Sequence, residues 1–377
     1  MAVQQDTAPP LLKLPGELIE AISDDVTAAD LRALKLTCRV VSVNIQRAFV
    51  RAHFTEQSFI LSSPESMQAL VDMAKDKVYG KVIRTLNLFA LKIPKSPPHP
   101  QGRYGRRRAA EGQPDVDRDT RIQKREMGRV YQQTYEKQEK FWKTGRWSVA
   151  LREALQHIKT SADGISINLV SNKTELQSAC GVRTLERVLG QPNCLTDFYL
   201  YTAVLLPLLD VISKSGLPLA GFRFEQQQSL TLVGASDWAQ QHHIGLFSGL
   251  RTVDIGSGTR QSPIELIVTR LGCAQTLEHL IVRVSAWWHG SAAHNLSLET
   301  TVELPKLREV NVFGNYPEPR HLAAFCKRYE KTLKRLTLSG TPAGTYPAAQ
   351  VNREHSRTAV EMAWSAAEIA GIEFELS

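Results

Sequence analysis

The chain has few cysteines, no long uninterrupted apolar run and no apolar leader. Its five cysteines among 377 residues are scattered and form no C-x-x-C pair, which argues against a disulfide framework or a structural zinc site. The longest apolar run, residues 198–212, is interrupted by Pro207 and Asp210 and is too short to cross a bilayer. The opening MAVQQDTAPP does not resemble a secretory signal. We therefore expect a protein of the cytosol or nucleus with no membrane partner.

Catalytic and metal-binding motifs are equally scarce. The adjacent His242 and His243 stand in no metal-binding pattern, and neighbouring side chains point in different directions on a helix or a strand. TVDIGSGTR, residues 252–260, resembles the glycine loop of S-adenosylmethionine-dependent methyltransferases, in which Gly256 and Gly258 would approach the cofactor. Arg260 occupies the third glycine position, so a methyltransferase using residues 254–258 is kept only as an alternative. We expect no catalytic residue, no cofactor and no metal.

Positive charge is concentrated in one segment. The formal net charge is +8, and residues 95–129 contain ten Lys/Arg and five Asp/Glu, an excess of 10 − 5 = 5. Residues 95–126 are also rich in proline and glycine, a composition that predicts a disordered or mobile basic loop. Because the rest of the chain is only mildly basic, we do not expect nucleic acid as a partner.

Residues 11–54 predict three short helices. Pro15 suits the start of the first helix, and Thr27 with Asp30 forms a capping box that opens the second. The third is expected from Cys38 to Ala52. A unit of about 40 residues rarely has a sufficient core of its own. It must pack on the rest of the chain or be held by a partner.

These residues resemble an F-box, the adaptor-binding module of cullin-based ubiquitin ligases. The resemblance rests on LPGELI at 14–19, Ile22 and DLRALKLTCR at 30–39. The continuation FVRAHF at 49–54 is similar to fungal members, although the tryptophan common in the third helix is absent. The resemblance implies docking onto a Skp-type adaptor, and through it onto a cullin. The implied adaptor-binding residues are Leu14, Pro15, Leu18, Ile22, Leu31, Leu34 and Cys38.

A degenerate repeat follows in the second half of the chain. The pattern L-x-x-L-x-L, with substitutions among apolar residues, starts at residues 219, 250, 277, 307 and 333. This spacing of 26–31 residues is slightly long for a leucine-rich repeat, and the expected Asn or Cys after the strand is mostly missing. It resembles an irregular leucine-rich-repeat-like α/β solenoid, with an ordinary α/β domain as the alternative. Trp287, Trp288 and Tyr316 follow predicted strands and are candidate target-binding residues.

We therefore expect an α/β protein with a flexible N-terminus (1–10), an F-box module (11–54), the first helix and strand of the repeat region (55–94), the basic loop (95–126) and the repeat-like domain (127–377). The predicted function is that of a substrate-recognition subunit of a Skp-cullin-F-box ubiquitin ligase, not an enzyme itself. Its F-box would hold the adaptor, and its repeats would hold an unidentified target protein. An F-box scaffold without a role in degradation is a further alternative.

Overall fold

A computed structural model shows an α/β protein built around one large parallel sheet. It describes residues 10–95, 118–158, 164–170, 176–189, 196–197, 201–226, 244–257, 274–284, 303–314, 319–339, 361, 365, 367–368 and 371–376. The helices are α1 (Gly16–Asp24), α2 (Ala28–Lys35), α3 (Arg39–Asn44), α4 (Gln46–Phe54), α5 (Pro64–Lys75), α6 (Arg118–Lys143), α7 (Arg146–His157), α8 (Val182–Leu189), α9 (Tyr201–Ser215) and α10 (Pro319–Arg328). The strands are β1 (Glu56–Ile60), β2 (Thr85–Phe89), β3 (Leu91–Lys92), β4 (Ile165–Val170), β5 (Thr196–Asp197), β6 (Leu219–Gln226), β7 (Thr252–Ser257), β8 (His279–Val284), β9 (Glu309–Gly314), β10 (Arg335–Ser339) and β11 (Glu373–Leu376).

Nine strands form the main sheet in the order β1-β2-β4-β6-β7-β8-β9-β10-β11, which is also their order along the chain. All pairs within it are parallel, and β3 and β5 form a separate antiparallel pair. The register aligns equivalent positions of the predicted motifs. Val253 of β7 pairs with both Phe222 and Leu280, and Val310 pairs with both Leu280 and Leu336.

The α/β class is confirmed, but the predicted solenoid is not. The structure shows one mostly parallel sheet whose connections differ in length and content, rather than a series of equal units. The connection from β1 to β2, residues 61–84, holds one helix, whereas the connection from β2 to β4, residues 90–164, includes β3 and the helices α6 and α7. Because units of unequal size cannot stack with one fixed rotation, the repeated sequence pattern produces neighbouring strands without a regular solenoid.

One face of the sheet forms the main hydrophobic core. Its strands alternate in burial, as in Ile165–Val170, where Ile165, Ile167 and Leu169 are completely buried. Helices α5, α7 and α9 pack in succession, α5 against α7 and α7 against α9, and their apolar side chains join the strand residues in one cluster. At Gly221 of β6 an added Cβ would lie 3.0 Å from the Cβ of Ser166 and closer still to its hydroxyl, so the close strand approach there favours glycine.

Helices α6 and α8 contribute to a second, smaller core on the other side of the sheet. Ile60, Phe89 and Val170 point into this core, where Tyr131 of α6 is also buried. The phenol of Tyr131 donates a 2.7 Å hydrogen bond to the Pro94 carbonyl. Helix α6 begins at Arg118, so residues 118–126, which we predicted to lie in the basic loop, are helical. Residues 1–9 and 96–117 lie outside the described part of the chain.

The N-terminal module (residues 11–54) contains four short helices rather than three. The predicted third helix is divided at Ile45, whose ψ of 3° ends α3 before α4 begins. The predicted cap of α2 is confirmed, since Thr27 Oγ1 accepts a 3.2 Å hydrogen bond from the Asp30 amide. The core of the module consists of Ile19, Leu31, Val41, Ile45 and Ala48. Such a small core leaves little margin for independent stability.

Candidate functional site

The N-terminal module exposes an unusual share of its large apolar side chains. Five such residues, here called the module surface, are Leu18 (51% exposed), Ile22 (49%), Leu36 (87%), Val40 (56%) and Val43 (66%). Outside the module, the described large apolar residues with comparable exposure are Val78, Met127 and Val149. Isolated exposed apolar residues are ordinary, but a group of them on one small module is typical of an interaction site.

The helical period explains why these side chains face outward. In α1, Ile19 and Ser23 are buried, so Leu18 and Ile22, one position earlier in the turn, lie on a neighbouring exposed face. Helix α3 packs Val41 inward and leaves Val40 and Val43 exposed. Because α1 packs against α3 and α4, the apolar stripes of α1 and α3 belong to one small bundle.

The turn between α2 and α3 carries the most exposed apolar side chain. Leu36 caps α2: its amide donates to the Ala33 carbonyl, and the Thr37 amide donates to the Leu34 carbonyl, both at 3.1 Å. Cys38 then adopts an extended conformation, with φ −159° and ψ 163°, before α3 begins. The backbone is therefore satisfied at this turn, while the Leu36 side chain has almost no contact with the rest of the chain. A side chain placed in this way is available to a partner's groove.

The structure separates the predicted adaptor-binding residues into three groups. Leu18, Ile22 and Pro15 are exposed. Leu14, Leu34 and Cys38 are half-buried and pack on the core of the module. Leu31 is 1% exposed and belongs to that core, so it supports the module surface from beneath and is not part of it. Sequence analysis did not assign Leu36, Val40 or Val43 to docking, although their apolar character outside the buried stripe was a usable signal.

Polar contacts tie the helices of the module together around these apolar side chains. Arg47 and Arg51 of α4 pair with Glu20 and Asp24 of α1 at 3.4 Å and 3.5 Å. Lys35 Nζ donates to Gln46 Oε1 at 2.8 Å and lies 3.7 Å from the centre of the Phe49 ring. These exposed pairs contribute little to stability individually.

A second candidate surface is the polar face of the sheet, opposite the main core. Asp254 of β7 is 8% exposed and accepts two hydrogen bonds from Arg283 of β8, at 2.9 Å and 3.0 Å. The Arg223 guanidinium lies 3.5 Å from the same carboxylate. The guanidinium carbon of Arg283 lies 4.9 Å from the centre of the Phe313 ring. Held in this way, Arg283 has lost much of the rotamer freedom that an exposed arginine otherwise keeps.

Further polar contacts continue along this face toward β11. His279 Nδ1 lies 3.1 Å from Glu309 Oε2, and Arg335 lies 3.1 Å from Glu373 Oε2. Hydrogen bonding to Glu373 and the nearby carboxylates raise the pKa of the Arg335 guanidinium above its usual range. The predicted target-binding residues Trp287, Trp288 and Tyr316 lie outside the described residues.

The geometry around the glycine motif differs from a cofactor loop. Residues 252–257 form β7, so Gly256 lies inside a central strand, and Gly258 falls outside the described residues. Doubly wound folds bind nucleotides where the strand order reverses, and the order of the described strands shows no reversal. This arrangement does not favour the methyltransferase alternative.

Side chains suited to metal binding are not gathered in the described residues. A cleft of about 420 Å³ lies between the end of α9 and the segment that leads into β7. Its described lining residues, which include Ser213, Leu217, Leu246 and Ser248, have no titratable side chain. Across the described ranges, no group of three His, Cys, Asp or Glu side chains is placed to hold a metal ion. Burial raises the pKa of the Cys326 thiol to about 11, which leaves it protonated and weakly nucleophilic at neutral pH. Among the described helices, none is both long and apolar enough to cross a membrane.

Comparison with known proteins adds no assignment. No protein-family model matches this chain, and no curated protein matches it. The function must therefore be inferred from the residues and their geometry.

Proposed function

We propose that this protein is a non-enzymatic substrate-recognition subunit of a Skp-cullin-F-box ubiquitin ligase. In this proposal the N-terminal module is an F-box that docks onto a Skp-type adaptor, and the sheet domain holds a target protein. The ligase gains specificity because tethering raises the effective concentration of the target near the ubiquitin-conjugating enzyme.

The observation that carries the proposal is the module surface. A module with a core of five residues displays five large apolar side chains at 49–87% exposure. An apolar groove in a partner would bury these side chains and supply the affinity. Three of the five, Leu18, Ile22 and Leu36, also belong to the sequence pattern that resembles an F-box.

Target recognition is assigned to the polar face of the sheet. Parallel sheets are commonly covered on both faces, yet the described side chains on this face of β7 to β11 include charged, half-exposed residues such as Arg283 and Glu309. The chain-order parallel strands support a leucine-rich-repeat-like origin for this domain, although the sheet is not a solenoid. A partner that complements these charges would gain specificity from them more than affinity.

A double substitution on α1 tests the adaptor-docking part. Leu18→Asp with Ile22→Asp replaces two exposed side chains, so the module is expected to remain folded. Leu14→Asp is less suitable because Leu14 packs on the core of the module. Burying two carboxylates in an apolar groove is expected to weaken binding to a purified Skp-type adaptor at least about 100-fold. Isothermal titration calorimetry with the full chain measures this change.

Val149→Asp is the matched control. Val149 is 62% exposed on α7, outside the module, so the same type of substitution there should leave adaptor binding unchanged. Wild-type binding by the L18D/I22D variant, or failure of the wild-type chain to bind the adaptor, would contradict the proposal. Ubiquitin-dependent turnover of proteins that copurify with the chain distinguishes a degradation receptor from an F-box scaffold.

A further inference from the structure

Thr37 lies in the turn between α2 and α3, between two residues of the module surface along the chain. It follows Leu36, which is 87% exposed, and stands three residues before the exposed Val40. Its side chain is exposed and its hydroxyl donates a 2.7 Å hydrogen bond to the Leu34 carbonyl. Along the chain, a polar hydroxyl thus lies between Leu36 and Val40, two exposed apolar residues that the proposed docking would cover.

Basic residues surround this threonine along the chain. Arg32, five residues before Thr37, and Arg39, two residues after it, are exposed. Lys35, two residues before Thr37, is half-exposed. The backbone leaves helical geometry immediately after it, since Cys38 is extended. An exposed hydroxyl in a turn, followed two residues later by the exposed Arg39, fits the substrate cleft of a protein kinase lined with acidic side chains.

We propose that Thr37 is a phosphorylation site and that its modification prevents the module from docking onto the adaptor. This inference rests on the proposed function of the module. A Ser/Thr kinase that selects basic substrates would transfer the γ-phosphoryl group of ATP to Thr37 Oγ1. The new Oγ1–P bond replaces the bond from phosphorus to the β–γ bridging oxygen, ADP leaves, and the hydroxyl proton passes to the kinase's catalytic base.

Phosphorylation would change the surface in two ways. The ester oxygen carries no hydrogen, so the Leu34 carbonyl loses its side-chain donor. More importantly, a group with a charge near −2 at neutral pH appears beside Leu36. An apolar groove that covers Leu36 would have to desolvate this charge and would itself offer no cation to pair with it. The expected result is at least about ten-fold weaker adaptor binding.

The test uses the full chain with phosphothreonine installed at position 37 by genetic-code expansion. Its affinity for a purified Skp-type adaptor is compared with that of the unmodified chain and of Thr37→Val, which removes the hydroxyl but keeps the shape. Phosphothreonine at position 144 is the matched control, because the exposed Thr144 hydroxyl also donates a 2.7 Å hydrogen bond to a carbonyl at the end of its helix, that of Lys140. Only the chain phosphorylated at position 37 should bind weakly.

Each result has a defined meaning. If the unmodified chain binds and the chain phosphorylated at Thr37 binds within two-fold of it, the phosphorylation switch is overturned while the proposed function stands. If the unmodified chain does not bind, the proposed function fails and the switch fails with it. A loss of helical circular dichroism in the phosphorylated chain, but not in Thr37→Val, would overturn the surface mechanism because the module would have unfolded.

Recognition by the kinase is tested separately. The full chain is incubated with ATP and protein kinase C, a kinase that accepts basic substrates, and the modified residue is mapped by mass spectrometry. We expect Thr37 to be labelled in the wild-type chain and at least about ten-fold less in the Arg39→Ala variant, since the flanking cation is lost. Absent labelling at Thr37, or labelling that does not depend on Arg39, would overturn the proposed basic-substrate recognition.

Discussion

A buried carboxylate organises the polar face of the sheet. Asp254 is 8% exposed and accepts two hydrogen bonds from Arg283, while the Arg223 guanidinium lies 3.5 Å away. A carboxylate so far from water is tolerated only when charge and hydrogen-bond partners compensate it. Asp254 thereby links β6 and β8, the two strands that flank β7. It also sets the positions of Arg223 and Arg283 on this face of the sheet.

Asp254→Asn is expected to destabilise the folded chain by about 1–3 kcal/mol. The asparagine side chain has the size of aspartate, but it lacks the negative charge and places an NH₂ donor beside the guanidinium donors of Arg283. The half-exposed arginines moderate the loss. The midpoint of chemical denaturation, followed by fluorescence, measures it. Asp210→Asn is the control, since Asp210 pairs only with Lys214 four residues later on the exposed side of α9 among the contacts described. An equal shift in both variants would contradict the special role of Asp254.

Sequence alone identified some of these residue roles and misassigned others. The Thr27 cap follows from a local pattern that needs no knowledge of the fold, and it is present. Leu31 belongs to the same motif as the docking residues but is buried. Apolar spacing shows that a helix has an apolar stripe, yet it does not show whether the stripe faces the chain's own core or a partner. That distinction required the structure.

At the scale of elements, strands were predicted better than helices. In the five main motifs, the second and third apolar positions, such as Val253 and Ile255, lie on strands of the sheet. A period of two with turns on either side is a strong local signal. The start of α6 was missed because charge dominates residues 118–126, whereas the apolar residues that anchor this helix, such as Tyr131, come later.

The attachment of α6 to α5 includes an ion pair that should respond to acid. Glu65 of α5 pairs with Lys137 of α6. Partial burial acts to raise the pKa of Glu65. The hydrogen bond and charge of Lys137, together with hydrogen bonds from the Glu65 backbone amide and from Ser63, outweigh this effect and leave the pKa below its usual value. A carboxyl group whose pKa is depressed on folding stabilises the folded state above its unfolded pKa. The contribution disappears as the pH falls through the folded pKa.

Glu65→Gln should therefore lower the melting temperature slightly at pH 7, by about 1–2 °C given the exposure of the pair. The difference from the wild-type chain should shrink as the pH falls below the usual carboxyl range. Differential scanning fluorimetry between pH 7 and pH 3 measures both effects. Glu126→Gln, at an exposed position of α6, should change neither. A difference between wild type and Glu65→Gln that grows with acid would contradict a lowered pKa for Glu65.

At the scale of the whole molecule, the module joins the sheet without a flexible linker. Thr55 alone separates α4 from β1, and its carbonyl accepts hydrogen bonds from the amides of Arg84 and Thr85 at 2.8 Å and 3.0 Å. The Phe54 ring stacks on Tyr79 with 4.3 Å between centroids. Sequence analysis predicted a boundary at residue 54 but not this rigidity, because the contacts involve residues about 25–30 positions apart. In the proposed ligase, such a junction would hold target and adaptor at a fixed separation.

The junction should also help to keep a module with so small a core folded. Five buried residues supply only a few kcal/mol, so we expect the stack of Phe54 on Tyr79 to supply a substantial part of the module's stability. Phe54→Ala removes this contact at an expected cost of about 1–3 kcal/mol, less than for a completely buried phenylalanine. Local opening of the module should then become more frequent without equal opening of the sheet.

Hydrogen exchange measured by mass spectrometry on the full chain separates the two regions. In Phe54→Ala, peptides from α1 to α4 should exchange at least about five-fold faster, while peptides from β4 and β6 keep their wild-type rates. Phe325→Ala provides the converse, because Phe325 is buried against the distant part of the sheet and its ring lies 4.7 Å from that of Tyr329. It should accelerate exchange near α10 and leave the module unchanged. Unchanged module exchange in Phe54→Ala would mean that the module's own core suffices, and the junction would then orient the module without stabilising it.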